Sequence, residues 1–218
     1  MVNFLILIEK FPKFSKSNID VGKTPIYVYN LCSIIRESFC LSYSIRKNNN
    51  LYLYFESLQL LIKYEGKKLR FLGSDERSQA ILLNKALEKI NGDEKVKTQV
   101  WEKSTPGIFV KRLPNSGSIL ENINFILHNK IVFIAEFENK DLYPDVFNLD
   151  DLDDMSEYCY ILPYFQNSQS SLRFLQVIKE NYNLKFINLS NIKGIENKIL
   201  YINFRIDQSK DINKEIEK

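Results

Sequence analysis

What most constrains this chain is the alternation along it of two hydrophobic periods. Short apolar runs rich in β-branched and aromatic residues recur at Phe4–Ile8, Leu51–Phe55, Leu60–Tyr64, Leu69–Leu72, Ile131–Phe137, Tyr158–Leu162 and Leu184–Leu189, each of strand length. Between them, helical spacing governs Asn30–Tyr43, Asp75–Ile90 and Ser171–Asn181. Strands interleaved with helices predict an α/β domain with a mostly parallel sheet, and a parallel sheet needs helices on both faces. "YEGKKLRF" reads as a hairpin turn at Gly66, an antiparallel excursion from that sheet. Ser104-Thr105-Pro106-Gly107 reads as a fixed turn, Pro setting one φ and Gly permitting a positive one; it launches a strand that ends in Lys111 and Arg112 on opposite faces.

A chain of 218 residues with 44% hydrophobic content can bury a real core in one domain. The domain is expected over 1–207, with 208–218 as a polar, fraying tail. No internal repeat is visible. The N-terminal "MVNFLILIEKF" has too short an apolar run for a signal peptide or a membrane span and meets Glu9 at once, so it reads as a buried strand.

Formal net charge is only +3, so any contact with nucleic acid has to come from local basic patches. Three cysteines, Cys32, Cys40 and Cys159, lack metal-ligand spacing and fit free thiols in a reducing cytoplasm. A single histidine, His128, reads as a surface loop residue and rules out His-rich metal sites. The seven glycines contain neither GxGxxG nor GxxxxGK[ST], so no Rossmann or Walker nucleotide site is supported. Asp145–Glu157, with six acids and no base, reads as a solvated loop or short exposed helix and lacks the Gly and spacing of a calcium loop.

Four basic clusters remain: Arg46 with Lys47; Lys67, Lys68 and Arg70; Arg77; and Lys111 with Arg112. Trp101, just ahead of the last, reads as a core residue. Arg77 is the odd one. In "LGSDERSQAILLNKAL" Ser74 is the expected N-cap, and a cation in the first turn faces the positive end of the helix dipole, where Asp75 and Glu76 can offset it.

"LSYSIRKN", "YEGKKLRFLGSDERSQAILLNKALEKI" and "WEKSTPGIFVKRL" resemble, in order and spacing, the archaeal tRNA (pseudouridine(54)-N1)-methyltransferases of the SPOUT superfamily. The resemblance is strongest over 41–113 and collinear on both sides. It implies a SPOUT-like α/β fold, a mostly parallel sheet flanked by helices with a C-terminal deep trefoil knot, and a cytoplasmic homodimer. It also implies S-adenosylmethionine as cofactor, no metal, no membrane contact, and tRNA as substrate, methylated at N1 of pseudouridine 54. Carried over position by position, it places Ile134, Leu162, Pro163, Leu189 and Ser190 at the cofactor, followed by Asn191, Ile192, Lys193, Gly194 and Ile199. It turns Lys23, Arg46, Lys47, Arg77, Lys111 and Arg112 toward RNA and leaves Asp20 as the catalytic candidate.

The departures fall in the loops. Asp20-Val21-Gly22-Lys23 and Ile26–Tyr29 stand where the family carries its substrate-side Arg and Asp, and Ser33 replaces a further Arg. Pro163-Tyr164-Phe165 stands for Gly-Asp-His, Leu189-Ser190-Asn191-Ile192 for Leu-Ser-Pro-Leu, and the region of Lys198 and Ile199 for a His-Cys pair. Pro for Gly removes an N–H and forbids a positive φ, so that loop has to change shape, while Tyr164 or Phe165 offers a ring to an adenine. A catalytically silent relative that keeps the dimer and the RNA surface while losing cofactor binding is the alternative to a working enzyme.

Overall fold

The computed structural model describes residues 1–11, 13–91, 99–114, 119–127, 133–136, 146–149, 157–164 and 169–216. In chain order these form β1 (Val2–Ile8), α1 (Lys16–Asp20), α2 (Ile26–Phe39), β2 (Asn49–Phe55), β3 (Leu60–Glu65), α3 (Glu76–Asn91), β4 (Glu102–Thr105) and β5 (Ile108–Arg112). Then come α4 (Ile119–Leu127), β6 (Phe133–Glu136), β7 (Val146–Phe147), β8 (Cys159–Pro163), α5 (Gln169–Asn181), β9 (Leu184–Ile187) and α6 (Ile195–Ile216).

One sheet runs β4-β5-β3-β2-β1-β8-β6-β9-β7. Every pairing from β2 to β7 is parallel, and β2-β3, β3-β5 and β4-β5 are antiparallel. The mostly parallel α/β reading therefore holds. The reason is visible in β1, whose seven residues are all buried. A strand buried on both faces is an apolar run without polar alternation, and it belongs at the centre of a covered sheet.

Alternation along the strands sorts side chains into two cores. Phe4, Ile6, Leu51, Leu53, Ile62, Tyr160 and Leu162 meet the apolar stripes of α2, α3 and α6 on one face. Leu5, Leu7, Tyr52, Tyr54, Leu61 and Ile161 meet α4 and α5 on the other. On α6 the spacing Ile199, Ile202, Ile206 supplies that stripe.

A buried amide pair fixes where α6 lies. Asn49 Nδ2 donates to the Ser38 carbonyl (2.8 Å) and to Asn203 Oδ1 (3.0 Å), and Asn203 Nδ2 donates to the Glu37 carbonyl (2.8 Å). Both carbonyls belong to the last turn of α2, which has no intrahelical donor for them. Arg46 adds a two-pronged pair with Asp207, at 2.9 and 2.7 Å.

Several elements differ from expectation. The hairpin is not at Gly66: it joins β2 to β3 through Glu56–Gln59, with Gln59 at φ 46°. The far edge of β3 is taken by β5, and the Lys68 and Leu69 N–H groups both return to the Glu65 carbonyl, so 69–72 is a tight loop and not a strand. Helix α2 begins at Ile26 behind Pro25 and ends at Phe39. The segment expected to fray is helical to Ile216, and α1, α4 and α6 were not anticipated. Val146–Phe147 pairs with β9 where a loop or exposed helix was expected. His128, Phe165 and residues 145 and 150–156 of the acidic stretch lie outside the described residues.

The expected turn at 104–107 is present: Gly107 has φ 84° and β4 and β5 flank it. Trp101 packs edge-to-face on Phe125 at the margin of the second core. The three cysteines are free thiols, and burial pushes Cys32 up to about 12, which leaves it unreactive.

Candidate functional site

In open parallel sheets, ligands are bound beyond the carboxyl ends of the strands. Here β8 ends at Pro163, and the Tyr164 N–H continues the ladder by donating to the Leu7 carbonyl (2.8 Å). The ladder thus takes its next N–H from the residue after the proline, which has none to give. Past this end lies a cavity of about 370 Å³, whose walls are Pro163 and Tyr164, Tyr27 and Asn30 from the start of α2, and Gly194, Ile195, Glu196 and Lys198 at the start of α6.

Each wall has a local cause. Pro25 sets the entry of α2 and places its first turn beside Tyr164. Gly194 has φ 81°, a conformation open chiefly to glycine, and it turns the chain into α6. A Cβ there would lie 2.2 Å from Glu196 Oε1. Lys198 is 4% exposed, and so brings a cation to this cavity from within the fold. Burial raises the Tyr164 phenol above its ordinary value, opposed by the Asn30 side chain and reinforced by Tyr27 and Glu196.

Of the residues expected at a cofactor, Pro163 and Gly194 line this cavity. Leu162, Leu189 and Ile199 are buried in the first core behind it, and Ile192 packs against the same core. Ser190 is turned on its own loop, hydroxyl and amide both donating to Asn188 Oδ1 at 2.6 and 3.0 Å. Asn191 and Lys193 are both exposed, the Lys193 carbonyl accepting from Asn197 (2.8 Å). Ile134 lies in β6, paired with Tyr160 and Lys185.

The basic residues expected toward RNA do not gather at one place. Arg46 is held by Asp207, and Lys47 Nζ donates to the Leu69 carbonyl (2.7 Å). Lys111 lies over the rings of Phe125 (4.9 Å) and Trp101 (5.9 Å), and burial lowers its pKa. Arg112, the next residue of β5, takes the opposite, first-core face of the sheet and is half-buried. Lys23 is exposed.

Arg77 is paired across the fold. Its guanidinium meets Asp20 Oδ1 of α1 at 2.9 Å, while Lys16 meets the other oxygen at 3.2 Å. The Lys16 ammonium, with Arg77 behind it, holds the Asp20 carboxyl below the usual carboxylate range. Asp75 is the cap of α3 in place of the expected Ser74: its Oδ1 accepts the Ser78 N–H (2.8 Å), and hydrogen bonds from Ser78 lower its pKa. Arg77 also lines a second cavity of about 290 Å³ with Ile19, Gly22, Thr24, Tyr29 and Glu76. Tyr27 and Tyr29, two residues apart on α2, point to opposite sides of that helix, so its first turn separates the two cavities.

Sequence reasoning missed Tyr27, Asn30, Glu196 and Lys198 as pocket walls. No local pattern joins three segments so far apart in the chain; the C-terminal helix that carries Lys198 was the missing signal.

An α/β chain with a cavity beyond its central parallel strands is the class that fold and site define. A family model described as "putative SAM-dependent RNA methyltransferase" matches residues 19–135, more than half of the chain, and the chain belongs to that family. The tRNA (pseudouridine(54)-N(1))-methyltransferase of Methanocaldococcus jannaschii is 33% identical over 129 residues, covering 56% of this chain and 62% of that protein. The Haloferax volcanii protein of the same name is 34% identical over 102 residues, covering 47% of this chain and 48% of its own length. The chain thus spans about half to six-tenths of the length of these relatives. Among solved structures, Nep1 of Archaeoglobus fulgidus bound to S-adenosylhomocysteine has the same fold, with a TM-score of 0.50 at 12% identity over 96% of this chain and 99% of that one.

Proposed function

We propose that the chain is an S-adenosylmethionine-dependent methyltransferase acting at N1 of pseudouridine 54 in tRNA, as a cytoplasmic homodimer with a SPOUT knot. The observation that carries the reading is the family match over 19–135, which joins the first wall of the cavity, Tyr27 and Asn30, to a family of SAM-dependent RNA methyltransferases. Relatives with the pseudouridine-54 name support the substrate, and Nep1 bound to S-adenosylhomocysteine, sharing this fold, supports the cofactor.

The cavity fits such a cofactor. Its volume of about 370 Å³ lies in the range of small-molecule sites, and its lining combines aromatic rings with a few polar groups. Tyr164 and Tyr27 offer ring faces to an adenine, Asn30 a hydrogen-bonding amide, and Lys198 a cation for a carboxylate. When bound, S-adenosylmethionine would supply a sulfonium methyl group to N1, which gives up its proton to solvent or a base. The chain's share is to hold, align and exclude water. Asp20, kept ionised by Lys16 and Arg77, is the candidate to accept that proton or a base N–H. The cavity lined by Arg77 and Tyr29, across the first turn of α2 from the cofactor, is the candidate contact for RNA flanking the target base.

Exposed Val21, Ile26 and Tyr29 near α2, with Leu200 and Phe204 on α6, offer apolar surface for a second copy. No helix among the described residues is long and apolar enough to cross a membrane.

The test is methyl transfer to a T-arm RNA carrying pseudouridine, read by nucleoside mass spectrometry. N1-methylpseudouridine at the target position is the expected product. A folded chain that shows neither cofactor binding nor methyl transfer identifies the silent relative instead.

A further inference from the structure

We propose that the groove between the 66–71 loop and the β4–β5 hairpin is a second RNA-binding surface, taking a single-stranded or looped segment with its phosphates on Lys67, Arg70 and Lys103 and a base on Phe71. The groove has a volume of about 540 Å³, and its lining includes these four residues together with Lys68 and Phe109. Four of its lining residues are cations and none is an acid.

The charge is not neutralised within the fold. Glu65 pairs with Lys68 at 3.0 Å and with Lys63 at 3.0 Å, and so is already engaged twice. Among the described residues, no carboxylate forms an ion pair with Lys67, Arg70 or Lys103. Phe71 stands beside them 73% exposed, an aromatic side chain that adds little to the core from there. Free cations flanking an exposed ring are the pieces with which proteins hold unpaired nucleic acid: charge for the backbone and a π-face for any base.

The groove is also preformed. Gly107, at φ 84°, lets the hairpin approach the loop so closely that a Cβ would lie 2.4 Å from the Leu69 nitrogen. Leu69 is 1% exposed, anchored between exposed Lys68 and Arg70, and Lys47 holds its carbonyl. Lys68 Nζ sits over the Phe109 ring at 5.3 Å, which sets the floor. A rigid loop that points its cations outward loses less entropy on binding than a mobile tail.

Sheet order puts this groove far from the cavity at β8. From β4 to β8 are five strand spacings, about 24 Å at about 4.8 Å each. A ligand engaging both has to be a polymer, and the inference rests on the RNA-methyltransferase reading for its choice of RNA.

The experiment measures binding of full-length unmodified tRNA by fluorescence anisotropy across a salt series, for the wild-type chain, the triple variant Lys67→Ala/Arg70→Ala/Lys103→Ala, and Phe71→Ala. Titration with S-adenosylmethionine and the thermal midpoint are followed in parallel. The triple variant is expected to bind RNA at least tenfold more weakly, with its salt slope reduced by about 2, since each single-strand phosphate contributes about 0.7. Phe71→Ala is expected to weaken binding about tenfold with the slope unchanged. Cofactor binding and folding should stay as in the wild type.

Equal RNA affinity in the wild type and the triple variant overturns the proposal and leaves the methyltransferase reading standing. RNA binding that falls in the triple variant while the wild type neither binds cofactor nor transfers methyl overturns that reading and supports the groove. If the triple variant loses binding to phosphatidylserine vesicles and keeps its affinity for RNA, the surface is a lipid site and the proposal is wrong.

Discussion

The cavity beyond β8 and the groove at the β4–β5 edge each depend on a glycine in the left-handed region, Gly194 at φ 81° and Gly107 at φ 84°, yet they are assembled in opposite ways. The cavity is drawn from 27–30, 163–164 and 194–198, three segments remote in sequence. The groove comes from 67–71 and 103–109, within the stretch matched by the family. Around Gly107 the nearest atoms are backbone, while around Gly194 they are the end of the Glu196 side chain. A backbone neighbour cannot step aside and a carboxylate can. The groove is therefore the stiffer of the two, and the cavity the one that can reshape around a ligand.

The largest expected effect follows from that stiffness. Gly107→Ala adds a Cβ against the Leu69 backbone in a positive-φ position, and strain and overlap together should destabilise the fold by about 3 kcal/mol or more. Urea denaturation measures it, and a loss below about 1 kcal/mol would remove the contrast between the two sites. Next comes Asn203→Ala, which takes a donor from the Glu37 carbonyl and an acceptor from Asn49 at a buried junction. About 2 kcal/mol of stability should go, and cofactor affinity with it, because α6 carries one wall of the cavity.

Gly194→Ala is expected to be milder in stability, about 1 kcal/mol, since Glu196 can move, but sharper in function. Affinity for S-adenosylmethionine should fall about tenfold, equivalent to about 1.4 kcal/mol, with affinity for RNA unchanged. Parallel calorimetric and anisotropy titrations read the two effects separately.

The smallest is Asp75→Ala, which removes the cap of α3 and should lower stability by about 1 kcal/mol near neutral pH. The Asp75 carboxyl titrates lower in the folded chain than its ordinary 3.8. Its contribution is therefore complete above that value and disappears as pH falls through the folded pKa. The thermal midpoints of wild type and variant should converge below about pH 4, the unfolded carboxylate's range.

How far the sequence disclosed all this follows the same division. The strands of the sheet centre were legible because burial on both faces leaves an unbroken apolar run, as in Val2–Ile8. The core of α3 was legible because its apolar stripe is local, though its cap proved to be Asp75 and not Ser74. The edges were not: Leu69–Leu72 has the composition of a strand, but β5 already occupies the edge of β3 and the Glu65 carbonyl turns the chain. Helix α6 was not read at all because its polar residues look like a tail, while what holds it are Asn203 and Asp207, paired with Asn49 and Arg46 from elsewhere in the chain. In the site, Pro163 and Gly194 could be carried over by position. Lys198 and Asn30 reach the cavity only through the fold, and Arg46 and Arg77, conspicuous as free cations, prove to be tied to Asp207 and Asp20.

The central claim is that the cavity beyond β8 holds S-adenosylmethionine, and calorimetric titration of the folded wild-type chain beside Gly194→Ala tests it most directly. The account predicts saturable binding, one cofactor per chain, weakened about tenfold in the variant. No heat from a folded wild-type chain, or equal affinity in both, would contradict it.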